Sequence, residues 1–432
     1  MYYLNNIEEL TLQKLSKIIR TFRGKELPQI EKYIAYYDGK QEILNKYVSD
    51  PSKPCNKIVC NYCYDITENY CGYLTGIPIT YTSEEDISSL SWILNYNDVH
   101  SEDSSLLKNG LVAGVGYELA YLDEMAQQRF KILDSKEVIP IYRNNLEEEL
   151  IAAVRMYSAN DIEDTSKTFV DVYTDKEILH YKSDITFSDF TLLEARPHYY
   201  GQVPITVFEL NKERKSIFDR IISLQDAYNK LLSASVDDEE AFVDAYMVLV
   251  GYNADSEDIE QMKKDRVLLL DEEGAASYLT KTNDDSAVNE LLDRINKQIL
   301  KIAKCPDFTD EAFGTSSGIA IRYKLTGMEN NAATIESNLR KALQKRLELI
   351  SAIQKLTTDE LGWRDIEIVF TRNLPINYLE QAQLVNQLRG LVSDKTLLAQ
   401  LPFVKDVDKE LELLAKQNES VLTYNFGAVD NE

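Results

Sequence analysis

Residues 286–327 read SAVNELLDRINKQILKIAKCPDFTDEAFGTSSGIAIRYKLTG, and their pattern indicates two long helices joined by a loop. Apolar residues recur at three- and four-residue steps over 286–304, which predicts an amphipathic helix that Pro306 ends. The small and polar residues 307–318 predict a loop. Helical spacing of apolar residues then predicts one long helix that runs to about residue 356.

The chain before this stretch changes from helical to sheet-like periodicity. Apolar residues at helical spacing predict helices over 6–36 and 57–74. From about 110 to 210 the apolar residues alternate with polar ones, which predicts a meandering and mainly antiparallel sheet. The predicted strands are 117–122, 129–133, 138–142, 150–157, 168–174, 177–181 and 204–210.

A second helical region flanks a small mixed module. A helix is predicted over 214–234, and the acidic run 237–240 is predicted to break it as a solvated turn. The module is predicted to contain strands 245–251, 267–270 and 276–280 and a short helix, 256–264. After the long helix we predict a strand over 366–371 and helices over 378–391 and 404–416. Because strands and helices are segregated along the chain, the predicted fold class is α+β.

The charge balance excludes one broad class of function. The 432 residues include 72 Asp and Glu against 47 Lys and Arg, a formal net charge of −25. Tight nucleic-acid binding comes from basic side chains that displace phosphate counterions, so this composition excludes it as the main activity. It also argues against docking on an anionic membrane. The acidity is segregated: residues 237–273 carry a net −10, and residues 286–356 a net +3.

Targeting signals and disulfides are not expected from the sequence. The N-terminus has neither a basic segment nor an apolar one, so we expect no secretory signal. The longest apolar run has about six residues, whereas a membrane span needs about twenty. Four of the five cysteines lie between positions 55 and 71, and we expect them to be reduced thiols in a cytosolic protein.

Two motifs invite an enzymatic interpretation. Gly314 to Gly318 matches the G-x-S-x-G turn of α/β-hydrolases, with Ser316 as the nucleophile, but that fold needs a strand before the serine and a histidine after it. The three histidines all lie upstream of Ser316. Cys60 and Cys63, flanked by two further cysteines, have the spacing of a zinc or redox pair. Core thiols on one helix are the alternative interpretation.

No cofactor and no enzymatic activity are predicted. The glycines at 39, 114 and 116 begin phosphate-binding and dinucleotide-binding patterns, but the other residues of those motifs are missing. Carboxylates such as Asp307, Asp310 and Glu311 could hold a catalytic metal, but in so acidic a chain they also occur by chance. A zinc- or carboxylate-dependent hydrolase is the enzymatic alternative.

The collinear order of the elements resembles the portal proteins of tailed bacteriophages, in the branch typical of siphophages of Gram-positive hosts. The resemblance covers about 30 to 416. The strings that carry it are 36–40, 56–59 with 72–76, 116–121, 242–246, 279–281, 306–308 with 317–325, and 393–398 with 401–404. No single string is diagnostic; their order is.

The resemblance implies a division of the chain into the parts of a portal subunit. These parts are a wing, 1–213; a first stem helix, 214–236; a clip, 237–285; a second stem helix, 286–304; a tunnel-loop region, 306–327; a long helix with a return to the wing, 328–378; and a crown with a C-terminal tail, 379–432.

The resemblance also implies a function, which is to form a ring at one vertex of the capsid, usually with twelve subunits. Double-stranded DNA is packaged through the ring by a terminase and is later ejected through it. The implied partners are further copies of the chain, the terminase large subunit, a head-completion or adaptor protein, and the major capsid and scaffolding proteins. The implied location is the virion, and the host cytoplasm during assembly. An oligomeric scaffold or adaptor that never contacts DNA is the alternative.

Two groups of candidate residues follow from this resemblance. Arg294, Lys297, Lys301 and Lys304 avoid the apolar stripe of their helix, so they form basic rings in a channel or ordinary ion pairs at an interface. The candidates for the DNA channel are Lys301, Lys304, Thr315, Ser316, Ser317, Arg322 and Lys324. The candidates for the partner-facing surface of the clip are Asp237, Asp238, Glu239, Glu240, Asp255, Glu257 and Asp258.

Overall fold

The structure, a computed structural model, describes residues 1–51, 53–161, 164–243, 247–250, 260, 275–278, 285–307, 318–357, 362–373, 383, 385–398, 401, 404 and 407–426. The chain forms two compact units, one of Met1–Ser316 with Ala320–Asn373 and one of Ser317–Ile319 with Leu374–Glu432. Helices and antiparallel strands together build the first unit, which confirms the α+β class. None of the described helices is long and apolar enough to cross a membrane.

Two helices follow each other near the N-terminus, where the sequence predicts one. Helix α1 spans Leu12–Lys25 and is capped by Thr11, whose Oγ1 accepts from the Lys14 amide at 3.3 Å. Helix α2 spans Leu27–Tyr37. Pro28 stands in its first turn, where a missing N–H costs no hydrogen bond. The proline therefore starts a new helix instead of continuing the first one.

Three further helices precede the sheet region. Helix α3 spans Tyr62–Thr75 and begins later than the predicted 57–74 helix, because Asn61 caps it by accepting from the Tyr64 amide at 3.2 Å. Helices α4, Ser88–Tyr96, and α5, Val99–Ala113, are absent from the sequence-based prediction. Both contain several Ser and Asn residues of low helix propensity, so packing rather than local preference makes them helical.

Six strands form the main sheet, in the order β1-β5-β6-β7-β8-β9. β1 pairs in parallel with β5, and the other pairs are antiparallel. The strands are β1 Tyr2–Leu4, β5 Val138–Arg143, β6 Leu150–Asp161, β7 Asp164–Tyr173, β8 Glu177–Ser183 and β9 Phe190–Pro197. The predicted meander is confirmed, but β1 and β9 are missing from the prediction. β9 is exposed on both faces after its first residue, so it lacks the alternation of a half-buried strand.

Smaller sheets complete the β structure. A three-stranded antiparallel sheet has the order β10-β3-β4. Its strands are β3 Val115–Leu122, β4 Gln128–Leu133 and β10 Ile205–Glu209. Two antiparallel pairs join β2, Thr80–Thr82, to β13, Glu367–Val369, and β11, Met247–Val250, to β12, Ala275–Tyr278. Of these four strands, β11, β12 and β13 match predicted strands, and β2 does not. The predicted helix 256–264 and strand 267–270 lie outside the described residues, apart from residue 260.

Three long helices carry the rest of the first unit. They are α6 Ile222–Val243, α7 Asp285–Ala303 and α8 Gly318–Thr357. α7 and α8 confirm the two helices predicted from residues 286–327 and the sequence that follows them. α6 corrects the prediction at both ends, since a 3-10 helix, Asp219–Ile221, precedes it and the acidic run 237–240 continues it. The run does not end the helix because Glu is a good helix former and Asp237 is held by hydrogen bonds to Asn56.

The main sheet is covered on both faces in its central part. On one face Leu15, Ile19 and Phe22 of α1 pack against the sheet residues Ile139 and Val154. On the other face a second core lies between the main sheet and the three-stranded sheet, and includes Tyr117, Val138, Tyr173 and Ile205. Burial of each such side chain stabilises the fold by about 1.5–3 kcal/mol, so these layers hold the sheet region together.

The second unit contains helices α9, Asp394–Leu398, and α10, Val407–Phe426. α10 confirms the helix predicted over 404–416 and extends it toward the C-terminus. Of the helix predicted over 378–391, residues 383 and 385–388 are helical, and most of the remainder lies outside the described residues.

Candidate channel-forming helices

Helix α7 packs one face against α6 and against the 3-10 helix Asp219–Ile221, which precedes α6. The buried and half-buried residues of that face are Val288, Leu292, Ile295, Ile299 and Ala303. They recur at three- and four-residue steps, so at 3.6 residues per turn they form one stripe. Leu291 and Ile302 flank the stripe and are 45% and 40% exposed. In the single chain, α7 therefore has an apolar edge that is left uncovered.

The face of α7 opposite its buried stripe is charged. Arg294, Lys297 and Lys301 are exposed and lie across the helix from Ile299. Glu290 shares this face nearer the start of the helix, so the charge changes from negative to positive along the axis. Positive side chains near the C-terminal end are also favoured by the helix dipole. A basic face of this kind is what the sequence predicts for a second stem helix.

Lys304 lies immediately after α7 rather than in its last turn. Its φ is +59°, in the left-handed region that usually favours glycine, and the Cys305 amide donates to the Leu300 carbonyl at 3.1 Å. The Lys304 side chain is exposed and passes next to Gly327 of α8, where an added Cβ would lie 3.7 Å from its Cδ. The chain turn therefore directs Lys304 toward the neighbouring long helix.

The N-terminal turns of α8 carry the second pair of basic candidates. Arg322 and Lys324 are exposed, and Tyr323 between them is 78% exposed. Thr315, Ser316 and Ser317 lie outside the described residues. Lys301 therefore lies on α7, Lys304 directly after it, and Arg322 and Lys324 on α8, whereas the position of the small-residue loop stays a prediction.

Tyr70 of α3 joins the end of α7 to α8. Its hydroxyl donates to the Ala303 carbonyl at 3.0 Å and accepts from Asn331 Nδ2 at 3.0 Å. Burial raises the pKa of Tyr70 to about 12, so the hydroxyl keeps its proton at ordinary pH. Tyr73, one turn later, donates to the carboxylate of Glu329 on α8. Side chains of α3 thus contact both the C-terminal end of α7 and the N-terminal half of α8.

The acidic run of the predicted clip lies on α6. Asp237 is half-buried, forms an ion pair with Lys46, and accepts from the Asn56 amide at 2.6 Å. Asp238, Glu239 and Glu240 are exposed. Of the other clip candidates, Asp255, Glu257 and Asp258 lie outside the described residues. Asp237 therefore bonds to the N-terminal region of its own chain, and the exposed Glu240 also accepts from Asn56 Nδ2 at 3.0 Å.

The cysteines have the environment of core thiols. Cys63 and Cys71 are buried, and burial raises the pKa of both thiols to about 12, so they do not ionise at neutral pH. In the described part of the chain, no group of three or more His, Cys, Asp and Glu side chains is arranged to hold a metal ion. Asp310 and Glu311, named above as possible metal ligands, lie outside that part.

Two buried polar clusters in the first unit are not predicted from the sequence. Gln225, Asn229 and Ser233 are fully buried on α6, and the signal for them is a polar residue at every fourth position of an otherwise apolar face. Arg346 of α8 is fully buried with Asp103 and Glu118. These partners are 243 and 228 residues away in sequence, so no local pattern indicates them.

The amino-acid sequence matches the family described as "Phage portal protein, SPP1 Gp6-like" over residues 17–423. The chain belongs to this phage portal protein family. A portal protein of Clostridium phage phiCD119 is 24% identical over 443 residues, which cover 94% of this chain and 96% of the relative. The portal protein of Bacillus phage SPP1 is 26% identical over 423 residues, which cover 92% and 82%.

Family membership confirms the predicted resemblance, including its branch, and the predicted function. A portal protein forms the channel at one capsid vertex through which double-stranded DNA is packaged and ejected, and it is a structural component of the virion. Among solved structures, the neck of a native GTA particle computed with C12 symmetry aligns with a TM-score of 0.45 and 13% identity, covering 79% of this chain and 89% of that one. The virion of the native gene transfer agent particle aligns with a TM-score of 0.43 and 11% identity, covering 78% and 89%.

Proposed function

We propose that twelve copies of this portal protein form a closed ring in which α6 and α7 are the stem and the charged face of α7 lines the channel. The observation that carries this proposal is the three-way division of the α7 surface. One stripe is buried on α6, an uncovered apolar edge contains Leu291 and Ile302, and a charged face lies opposite the buried stripe.

A closed ring needs these three kinds of surface. Each subunit of a ring contacts two neighbours through different patches, so an apolar edge that is exposed in the single chain gains a partner on assembly. The face left over then points toward the axis. Repeated around the axis, Arg294, Lys297 and Lys301 form shallow rings of positive charge in a strongly acidic protein.

The remaining parts of the subunit are assigned by the same proposal. The wing, 1–213, meets the major capsid and scaffolding proteins. The clip, 237–285, meets the terminase large subunit during packaging and the head-completion protein afterwards, through its acidic side chains. The crown and C-terminal tail are assigned to 379–432. Assembly takes place in the host cytoplasm.

Charge reversal at Lys301 tests the assignment of the channel face. In a ring of Lys301→Glu subunits, each copy adds negative charge where the DNA passes, so DNA entry is opposed electrostatically. We expect ring formation to be unchanged and the packaging rate to fall several-fold at low ionic strength. At about 0.5 M salt the rate should approach that of the wild type, because the Debye length falls below about 5 Å.

Lys17→Glu is the matched control, because Lys17 is an exposed residue of α1 in the wing. It should leave packaging unchanged at every salt concentration. Two results contradict the assignment. Equal packaging by the two variants removes Lys301 from the channel, and loss of ring formation by Lys301→Glu places it in the interface between subunits.

A further inference from the structure

Helix α6 carries a polar side chain at every fourth position of its buried face. The four residues are Gln225, Asn229, Ser233 and Asp237. The first three are fully buried, and the last is half-buried. Positions four residues apart lie on one face of a helix, about 6 Å apart along its axis. Burial of so many polar groups is unfavourable unless each has a hydrogen-bond partner.

Each of these side chains accepts a hydrogen bond from a backbone amide of the segment 56–62. The Tyr62 amide donates to Gln225 Oε1 at 3.0 Å, and the Cys60 amide donates to Asn229 Oδ1 at 2.9 Å. The Ile58 amide donates to Ser233 Oγ at 3.0 Å, and the Asn56 amide donates to Asp237 Oδ1 at 2.6 Å. Every second amide of 56–62 donates, and the segment runs antiparallel to α6. We call these four parallel hydrogen bonds the ladder, and each bond a rung.

The spacing of the ladder fits a helix paired with an extended chain. Alternate amides of an extended segment are about 6.6 Å apart, close to the roughly 6 Å between every fourth helical residue. A shift of α6 by one rung in one direction would place Ile221 opposite the Tyr62 amide, and in the other direction would leave the buried Gln225 without an amide. The ladder therefore specifies a single axial position of α6.

The rungs are also linked to one another and to α2. Gln225 Nε2 donates to the Cys60 carbonyl at 2.5 Å and to Asn229 Oδ1 at 3.0 Å. Asn229 Nδ2 donates to Gln41 Oε1 at 2.6 Å, and Gln41 Nε2 donates to the Tyr36 carbonyl at 3.2 Å. A connected and satisfied buried network of this kind holds one arrangement more strongly than separate hydrogen bonds do.

We propose that this ladder is a shear clamp that transfers axial force from the stem helix to the N-terminal region. The inference rests on the proposed function, in which α6 runs along the channel that a motor loads with DNA. Force along the α6 axis pulls across all four rungs at once, so they share the load and break together. Apolar contacts of α6 have no preferred direction and therefore resist sliding less than a ladder in fixed register.

The first test measures whether the ladder protects the amides of 56–62. In the purified full-length protein, Ser233→Ala removes one acceptor. Ser235→Ala makes the same change two residues later, at a half-buried position about 200° around the helix from the ladder. We expect hydrogen exchange at Ile58 to be about tenfold faster in Ser233→Ala, since a buried amide loses its partner. Exchange should be unchanged in Ser235→Ala. Equal exchange in the two variants overturns the ladder as a clamp.

The second test applies load. Particles built with Ser233→Ala or Asn229→Leu portals should begin packaging at the wild-type rate but stop at a shorter DNA length, because internal pressure rises as the head fills. Rings of both variants are first checked by negative-stain microscopy. Full-length packaging by both variants, together with faster exchange at Ile58, overturns the load-bearing role. Failure of wild-type rings to form or to package would count against the proposed function, and the exchange experiment would still test the ladder.

Discussion

Among single residues, Arg346 is the largest of the fully buried side chains in the described part of the chain. Its guanidinium donates to Glu118 Oε2 at 2.6 Å and to Asp103 Oδ1 at 2.5 Å, and all three side chains are at most 2% exposed. The cluster joins α8 to β3 and α5. One positive and two negative groups are neutral together only when one carboxyl holds a proton.

Replacing Arg346 should be among the most damaging single changes in the chain. Arg346→Met leaves Asp103 and Glu118 buried without a counter-charge, and breaking a buried ion pair in this way costs about 3–5 kcal/mol. Denaturant unfolding of the full-length protein measures the loss. Lys341→Met, on the exposed side of the same helix, should change the free energy of unfolding by less than about 0.5 kcal/mol. Similar values for the two variants would mean that the cluster does not hold α8.

Asp103 should make stability depend on pH in a defined direction. Burial raises the pKa of Asp103 to about 6, although the nearby Arg346 lowers it. Between about pH 4 and 6 the folded protein binds a proton that the unfolded chain has released, so this contribution is complete below pH 4 and is lost as pH rises through 6.

The variant Asp103→Asn isolates that contribution, because its side chain is neutral at every pH. It should match the wild type near pH 4 and exceed it at pH 7 by about 1–3 kcal/mol in the free energy of unfolding. Denaturant unfolding of both proteins at the two pH values measures the difference. A variant that is less stable than the wild type at pH 7 contradicts the raised pKa.

At the scale of elements, the contact of α5 with the three-stranded sheet depends on a glycine. A Cβ added at Gly110 would lie 2.2 Å from Cε1 of Phe208 on β10, so the helix approaches the strand closely only because Gly110 has no side chain. This contact explains why a helix with a glycine in its last turns forms here, against the low propensity of that residue.

Gly110→Ala should therefore destabilise the first unit. Overpacking of this kind costs about 1–3 kcal/mol. Gly24→Ala makes the same change in α1, where nothing lies within 4 Å of the new Cβ, and should stabilise the protein by about 0.5–1 kcal/mol, since alanine is the better helix former. Thermal unfolding of the two variants should give shifts of opposite sign, and shifts of the same sign contradict the close approach.

The elements that the sequence predicts best are those with a strong and simple periodicity. α7 and α8 repeat apolar residues at helical steps, and their predicted ranges agree with the structure. α4 and α5 also place buried apolar residues at helical steps, but their Ser, Asn and Gly residues have low helix propensity and weaken the signal. The start of α3 is delayed because segment 56–62 uses its amides on α6 instead of in a helix. Such long-range partners cannot be read from local spacing.

The candidate site was predictable to a similar degree. The basic face of α7 follows directly from residues that avoid the apolar stripe, and Arg294, Lys297 and Lys301 are indeed exposed. The acidic run was assigned to a turn because four successive acids suggest a solvated break. In the structure Asp237 contacts Lys46 and Asn56, which are 191 and 181 residues away in sequence. Local sequence spacing does not indicate such distant partners.

For the whole molecule, the net charge of −25 bears on how a ring of subunits would interact with DNA. We propose that a ring of such subunits repels a duplex overall, so that phosphate contacts do not hold the DNA tightly in the channel. The limited basic face of α7 moderates that repulsion where the proposed channel lies. An acidic composition therefore suits a passage through which a separate motor drives DNA, although it excludes a protein that binds DNA tightly.

Ring formation can be tested by two-dimensional class averages of the purified full-length protein, imaged by electron microscopy at assembly-level concentration. We expect closed rings with a central opening and rotational symmetry, because the uncovered apolar edge of α7 needs a neighbour on every subunit. Averages that contain only compact single-chain particles would contradict it.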